Sequence, residues 1–321
     1  MKFTKRNHYN PCFWTAHWNP TYFERAITSG VDGLTARDQR VYALNVKSNK
    51  IYETTVDNLH FDKDMGVAEV TPADAMEFCK RNFPDQYDRF CRDMEKHPEA
   101  VYLDFEDILS SLENSKAYTT MREVIAKQRI EAPMDKGFLA GFVIVHWLRS
   151  HAMLNAMIEW SNELGIKKFE YFWMLKHSWG NVNYLFSLVS TIAPFRWHYY
   201  RTRSDLFPLN DSPVLIHPNS VMVALSPRLL LEIDRTQRRP ESSISYSNFI
   251  APEKLDDFRR RTIANTFREI IFGHESLLEQ WRGSKEFASR HQLLADAKRY
   301  NALVAKDGSR ELWQVNALAN A

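Results

Sequence analysis

The stretch Arg40-Val-Tyr-Ala-Leu-Asn-Val46, with Lys47-Ser-Asn-Lys50 and Ile51-Tyr-Glu-Thr-Thr-Val56 directly after it, decides the fold class. Apolar and polar side chains alternate in the first and third segments, as they do in a strand with one buried face. The four polar residues between these segments are typical of a turn. We therefore expect a β-hairpin here, and with it a sheet near the N-terminus.

Helical patterns follow the hairpin. Thr71-Pro72 has the residue types of a helix cap and a first helical position, and a charged helical pattern then continues to about Lys127, with breaks near Pro84 and Pro98. Between Asp135 and Leu164, apolar residues recur at helical spacing, which predicts one long helix. Residues 169–192 predict one or two further helical segments.

Strand patterns return after residue 195. They cover Phe195–Arg201, Pro213–His217 and Ser220–Leu225, whereas Arg235 to Ser245 is polar and predicts a loop. We expect a single α+β domain over residues 1–321, with a sheet of the N-terminal hairpin and later strands packed against a helical layer. Its parts would be the N-terminal motif and hairpin at 1–60, a helical middle at 71–192, strands at 195–234 and C-terminal helices at 252–300.

Composition excludes several classes of protein. The formal net charge is only +2, so the molecule as a whole is not an electrostatic binder of nucleic acid, and neither a P-loop nor a dinucleotide fingerprint is present. The odd number of cysteines (three) and the absence of a signal-peptide pattern favour a cytoplasmic protein. The longest apolar stretch, Phe138 to Trp147, is too short to span a bilayer, so no membrane partner is expected. The sequence leaves cofactor and oligomeric state unknown.

The segment Asn7-His8-Tyr9-Asn10-Pro11 is the most informative motif. It places a titratable imidazole between two amides, and histidine is the commonest acid/base residue because its pKa lies near neutrality. The competing interpretation makes His8 a hydrogen-bonded structural residue in an aromatic corner. The local sequence by itself favours the structural interpretation.

Two further segments carry candidate polar groups. Asp211 stands at a strand entry, where a carboxylate can orient a histidine, bind a metal or receive a proton, or can form an Asx-turn with its own backbone. His146 and Arg149 are neighbours on a largely apolar helix face. A buried arginine needs a partner there, either a substrate phosphate or carboxylate or an internal acid.

A basic, ring-rich segment runs from Phe195 to Arg203, and the run Arg259–Arg261 would extend its charge. Such interleaving suits stacking on bases and contact with phosphates. The competing interpretation is a strand with an aromatic core face and a solvated basic face. Metal binding has little support, because no HExxH motif, Cys/His cluster or EF-hand loop is present, and G-x-S-x-G is absent as well.

In order along the chain, several motifs resemble a widespread bacterial family, domain of unknown function 4238. They are the opening Asn7-His8-Tyr9-x-Pro11, the hairpin from Val41 to Val56, the helix from Phe142 to Arg149, Trp197 before a strand, the turn Asp211-Ser-Pro213 and the segment Ala224-Leu-Ser-Pro227. The resemblance covers residues 6 to 275. The chain has Asn210 where the family usually has Ser, Ala224 in place of Pro, Ser150-His151 in place of Thr-Pro, and Arg259 in place of Asn. These departures indicate a divergent member.

The resemblance implies that polar residues from distant motifs share one pocket. The candidate catalytic residues are His8, Arg149 and Asp211, and the candidate substrate-binding residues are Asn7, Tyr9, His146, Arg196 and Trp197. The family implies no established reaction, but its members lie near mobile elements and phage-defence genes.

Three functional expectations follow. The first is a hydrolase or nuclease-like phosphoryl-transfer enzyme, in which His8 is the general acid/base, Asp211 orients it or holds a metal, and Arg149 clamps an anion. The second is a non-catalytic nucleic-acid or protein binding module that exposes Arg196, Tyr200 and Arg201. The third is a purely structural role, in which Tyr9, Pro11 and Asp211 lock the sheet to the helical layer.

Overall fold

The computed structural model describes residues 7–8, 10–31, 33–62, 67–95, 101–104, 116–130, 133–163, 167–170, 192–238 and 244–299. Its strands are β1 (Asn7–His8), β2 (Arg40–Asn45), β3 (Lys50–Thr55), β4 (Phe61–Asp62), β5 (Val67–Val70), β6 (Val101–Asp104), β7 (Phe195–Arg201), β8 (Leu209–Asn210), β9 (Val214–His217), β10 (Ser220–Ser226), β11 (Leu229–Arg238), β12 (Ile244–Ser247) and β13 (Glu269–Phe272). Its helices are α1 (Cys12–Thr15), α2 (Pro20–Thr28), α3 (Pro72–Asn82), α4 (Tyr87–Glu95), α5 (Lys116–Lys127), α6 (Pro133–Leu148), α7 (His151–Glu163), α8 (Pro252–Ala264), α9 (Glu275–Arg282), α10 (Lys285–Ala288) and a last helix at 290–299.

The expected hairpin forms and is joined by later strands. β2 and β3 pair antiparallel from Arg40↔Thr55 to Asn45↔Lys50, and the four-stranded sheet has the order β3-β2-β13-β8. The mixed α+β class is therefore confirmed. The prediction of helix throughout 252–300 was wrong at β13. The apolar residues of β13 are completely buried, and the strand pairs with β2 on one side and β8 on the other. These contacts with distant strands favour a strand over a helix at this position.

A second, five-stranded sheet has the order β12-β7-β11-β10-β9 and contains no strand of the N-terminal hairpin. Every residue of β10 is buried, as expected for a central strand. The loop predicted from Arg235 to Ser245 was wrong at both ends, because β11 extends to Arg238 and β12 begins at Ile244. β12 is polar because it lies at the sheet edge, parallel to β7.

The helix start at Thr71 is confirmed, since its Oγ1 accepts the N–H of Asp74 at 3.2 Å. α3 then ends before Pro84, where a break was expected. The helical pattern predicted up to Lys127 was wrong at β6, which pairs antiparallel with β5. The strand forms because it pairs with a distant segment, and the local sequence pattern does not show such a pairing.

The single helix predicted between Asp135 and Leu164 was also wrong, because it is divided into α6 and α7. Ser150 lies at the division, where its Oγ accepts the N–H of Met153 at 3.3 Å and starts a new helix. The apolar pattern continues through this break, so periodicity did not reveal it. Most of the prediction for residues 169–192 lies outside the described residues.

Two N-terminal tryptophans tie the start of the chain to the later strands. Trp14 Nε1 donates to the carbonyl oxygen of Leu225 on β10 at 3.0 Å, and Trp18 Nε1 donates to that of Phe207 at 2.8 Å. Both rings are completely buried within one continuous apolar cluster that includes residues of both large sheets. Within the described ranges, the helices are too short or too polar to cross a membrane.

Candidate functional site

The first two residues of the N-terminal motif, Asn7 and His8, form β1. Asn7 pairs with Asp62 and His8 with Phe61 in an antiparallel ladder with β4. Tyr9 and the side chains of Asn7 and His8 lie outside what the structure describes. The backbone pairing places His8 next to the chain segment that directly follows His60.

The side chain of Asn10 joins two distant segments. Its Nδ2 lies 2.8 Å from the carbonyl oxygen of Asn210 and 2.7 Å from Nδ1 of His60, and all of these atoms are buried. The carbonyl oxygen of Asn210 can only accept a hydrogen bond, so the amide nitrogen of Asn10, and not its oxygen, must face it. Because the amide nitrogen only donates, His60 Nδ1 is the acceptor and the ring proton of neutral His60 lies on Nε2.

The backbone at His60 adopts a left-handed conformation, with φ of 52°. A completely buried non-glycine residue in this region is uncommon and costs conformational energy, and such residues cluster at functional sites. Asn210 is held from its other side, where Nδ2 donates to Thr266 Oγ1 at 3.1 Å. We refer to the buried set Asn10, His60, Asn210, Asp211 and Ser212 as the polar junction.

Asp211 uses both carboxylate oxygens within the protein. Oδ1 accepts the N–H of Phe267 at 3.1 Å, and Oδ2 accepts the N–H of Arg268 at 2.6 Å. Burial raises the pKa of Asp211 to about 6, although the charge of His151 and these two hydrogen bonds act in the opposite direction. The Asx-turn within its own segment is thus replaced by a bond to the residues just before β13.

Ser212 connects the polar junction to the start of α7. Its Oγ accepts the N–H of Ala152 at 3.2 Å, in the first turn of α7. Ser150, which follows Arg149, caps the same helix through the N–H of Met153. Asn10 of the N-terminal motif, the start of α7 and the turn at 210–212 therefore meet.

Arg149 and His146 are both buried. His146 lies within an aromatic enclosure, where its Nε2 is 2.9 Å from the hydroxyl of Tyr118 and its ring centroid is 5.1 Å from that of Trp14 and 4.3 Å from that of Phe142. These contacts make His146 part of the core, and Arg149 follows directly after the last residue of α6.

The segment after residue 195 forms β7 with alternating burial. Trp197 is completely buried, its Nε1 donates to the carbonyl oxygen of Ile192 at 3.2 Å, and the ammonium of Lys136 lies 5.4 Å from its ring centroid. Arg196 is half-buried on the opposite face. This arrangement matches the interpretation of one aromatic core face and one polar face.

The residues that the binding-module expectation requires on an exposed positive surface are half-buried or paired with acids. Tyr200 and Arg201 are half-buried, and the Tyr200 hydroxyl donates to Glu232 Oε2 at 2.7 Å. The three arginines of the run at 259–261 pair with acids of their own helix, at 3.1 Å for Arg259 and 2.7 Å for Arg260. A contiguous positive face is therefore not observed among these residues.

No group of three or more described His, Cys, Asp or Glu side chains is placed to hold a metal ion. An open cleft of about 500 Å³ lies elsewhere, lined by charged residues of α8 and α10 together with Ser289 and Leu293. None of the site residues predicted from the sequence lines this cleft. Its acids Asp256 and Asp257 already pair with arginines of α8.

The fold and the polar junction define a mixed α+β protein with a buried polar centre. No family model, no curated protein and no solved structure matches the chain. The resemblance to domain of unknown function 4238 therefore stays a prediction.

Sequence reasoning missed His60 and Ser212 as members of the polar junction. His60 precedes the short acidic set Asp62-Lys-Asp64, a pattern typical of a solvated loop, and the left-handed backbone of His60 has no local signature. Ser212 was visible in the quoted turn, but its partner Ala152 is 60 residues away. Only contacts between distant segments reveal either role.

Proposed function

We propose that the chain is an enzyme of the hydrolase or phosphoryl-transfer type with its active site at the polar junction. One observation carries this proposal: the Asn10 amide bridges His60 and Asn210. It brings the motif containing His8 next to Asp211, and Ser212 links the same turn to the segment after Arg149.

In this proposal His8 is the general acid/base, and Arg149 binds the anionic group of the substrate. Asn7 and Tyr9 contact the substrate, whereas His146 and Trp197 are core residues. Asp211 is a positioning residue, since both of its oxygens hold the backbone before β13. A phosphate ester, including the phosphodiester of a nucleic acid, is the substrate class that an arginine clamp fits.

We place this activity in the cytoplasm, supported by three cysteines that are all free thiols. A role in phage defence or on a mobile element, and a bacterial origin, rest on the family resemblance alone. The binding-module alternative has less support, because Arg201 is half-buried over the Tyr246 ring and the arginines of the run at 259–261 pair with acids of α8.

The test measures hydrolysis of p-nitrophenyl phosphate, bis(p-nitrophenyl) phosphate and single-stranded DNA and RNA. We expect His8→Asn to lower kcat by roughly 100-fold or more, as for loss of a general base. Arg149→Lys should mainly raise KM, because it loses bidentate binding. Circular dichroism checks that each variant folds.

Exposed residues of the same types provide matched controls: His217→Asn and Arg203→Lys should leave both kinetic constants unchanged. If the wild type hydrolyses none of these substrates, or the His8 variant is as active as the wild type, the proposal is wrong.

A further inference from the structure

A row of polar side chains crosses three neighbouring strands of the five-stranded sheet, on the face opposite Trp197 and Tyr199. Ser245 of β12 and Glu232 of β11 are the direct register partners of His198 in β7. Directly paired residues point to the same face of a sheet, so the three side chains are adjacent. No residue of the polar junction belongs to this row.

Ser245 and His198 are in direct contact. The Ser245 Oγ lies 2.6 Å from Nδ1 of His198, and both residues are half-buried, so solvent reaches them. Burial is the main cause that lowers the pKa of His198; the charge of Glu232 acts in the opposite direction, and Arg196 and Lys254 lower the pKa further. The imidazole is therefore neutral at pH 7 and able to accept the hydroxyl proton.

Glu232 supplies a fixed negative charge on the other side of His198. Its Oε2 accepts the Tyr200 hydroxyl and its Oε1 accepts the Lys254 ammonium, both at 2.7 Å. These two donors hold the carboxylate in place. A carboxylate beside a histidine stabilises the imidazolium that forms when the ring takes a proton.

Arg196 precedes His198 by two residues and so lies on the same face. Its charge acts on the pKa of both His198 and Tyr200, which places the guanidinium near the row. Among the described residues it forms no ion pair or hydrogen bond. A half-buried guanidinium beside a serine–histidine pair suits an anionic group of a substrate.

We propose that Ser245 is a nucleophile activated by His198 as general base, in a second catalytic site for esters whose acyl part carries a negative charge. Ser245 Oγ attacks the ester carbonyl carbon while its proton passes to His198 Nδ1. That proton moves to the leaving alcohol oxygen as the C–O bond breaks, and water then hydrolyses the acyl-serine through the same histidine. Arg196 binds the charged end of the acyl group.

Covalent labelling tests the nucleophile directly. The full chain is incubated with diisopropyl fluorophosphate, where Ser245 Oγ would displace fluoride from phosphorus, and the modified peptide is identified by mass spectrometry. We expect labelling at Ser245, loss of labelling in Ser245→Ala, and unchanged labelling in Ser247→Ala. Ser247 is the matched control, because it is the next same-face serine of β12 and, among the described residues, its hydroxyl bonds to Phe249.

His198→Asn separates catalysis from sheet structure. Asparagine keeps a hydrogen-bond acceptor near the position of Nδ1 but is not a base, so the labelling rate should fall roughly 100-fold while the fold is kept. Labelling at the wild-type rate in this variant, or no labelling of Ser245 in the wild type, overturns the proposal. Either outcome would leave the hydrolase proposal at the polar junction standing, since the two sites share no residue.

Turnover tests the substrate class with p-nitrophenyl acetate and mono-p-nitrophenyl succinate, which carries a free carboxylate. Arg196→Gln should raise KM for the succinate ester by about tenfold, the loss expected for a charge-assisted hydrogen bond. It should leave KM for the neutral acetate ester unchanged. Equal effects on both esters would contradict the role of Arg196.

Discussion

At the scale of single residues, Asp211 shows how a buried carboxylate can hold a structure together at a cost. Two backbone N–H groups stabilise its charged form, but desolvation is larger and raises its pKa to about 6. The folded state therefore binds the proton of Asp211 more tightly than the unfolded chain does. Stability from this group is complete below its unfolded pKa of 3.8 and is lost as the pH rises through 6.

We expect the free energy of unfolding of the wild type, relative to Asp211→Asn, to fall by about 2 kcal/mol between pH 4.5 and 7.5. Urea unfolding at several pH values measures this difference. The comparison with the variant is needed because burial lowers the pKa of His17 to about 4, so that His17 makes both proteins more stable as the pH rises. Subtracting the two free energies of unfolding removes this contribution. A constant difference would show that Asp211 does not titrate in this range.

Gly273 is a second residue whose identity is set by contact. A Cβ there would lie 2.6 Å from the carbonyl oxygen of Trp18 and 2.9 Å from Pro20 Cγ. Gly273→Ala should therefore destabilise the protein by about 1–3 kcal/mol, because backbone must move. Gly283→Ala is the control, since its Cβ would approach backbone oxygens no closer than 3.4 Å. Thermal melts of both variants distinguish a steric effect from a general loss of glycine.

At the scale of elements, the start of α7 is the point where local and distant sequence cooperate. Ser150 caps Met153 from within the segment, and Ser212 accepts the N–H of Ala152 from another part of the chain. The N–H groups in the first turn of a helix have no partner within the helix, and two of those in α7 are bonded to these serine hydroxyls. The break at residues 149–150 also sets the position of Arg149 at the end of α6.

Removing either serine hydroxyl should weaken this junction of elements. We expect Ser150→Ala and Ser212→Ala each to lower the free energy of unfolding by about 1 kcal/mol, as for loss of a cap bond. Ser289→Ala, in an exposed position after α10, serves as control. A double-mutant cycle measures coupling, and simple additivity would mean that the two bonds act independently.

At the scale of the whole molecule, Trp14 connects the N-terminus to both the helices and the five-stranded sheet. Its ring centroid lies 5.1 Å from that of Phe142 on α6, and its Nε1 bonds to Leu225 on β10. A completely buried ring with one satisfied polar atom contributes both apolar area and a hydrogen bond. The N-terminal segment is therefore part of the core.

We expect Trp14→Phe to lower the free energy of unfolding by about 2–4 kcal/mol, because it leaves a cavity and an unpaired carbonyl oxygen on β10. Trp147→Phe, at a half-buried position, should cost less than about 1 kcal/mol. Chemical denaturation measures both. Equal losses would mean that the Leu225 bond and the complete burial of Trp14 contribute little.

The sequence by itself determined the α+β class, the hairpin, the cap at Thr71 and the two-faced strand β7, because each depends on a periodicity or a turn within a few residues. It also selected the motifs that meet at the polar junction, although through a family resemblance that no comparison matched. Only the tertiary structure decided β6 and β13, the break at Ser150, and the contacts of His60 and Ser212. Each of these depends on a partner many residues away, and a hydrogen bond between distant segments has no signature in either segment alone.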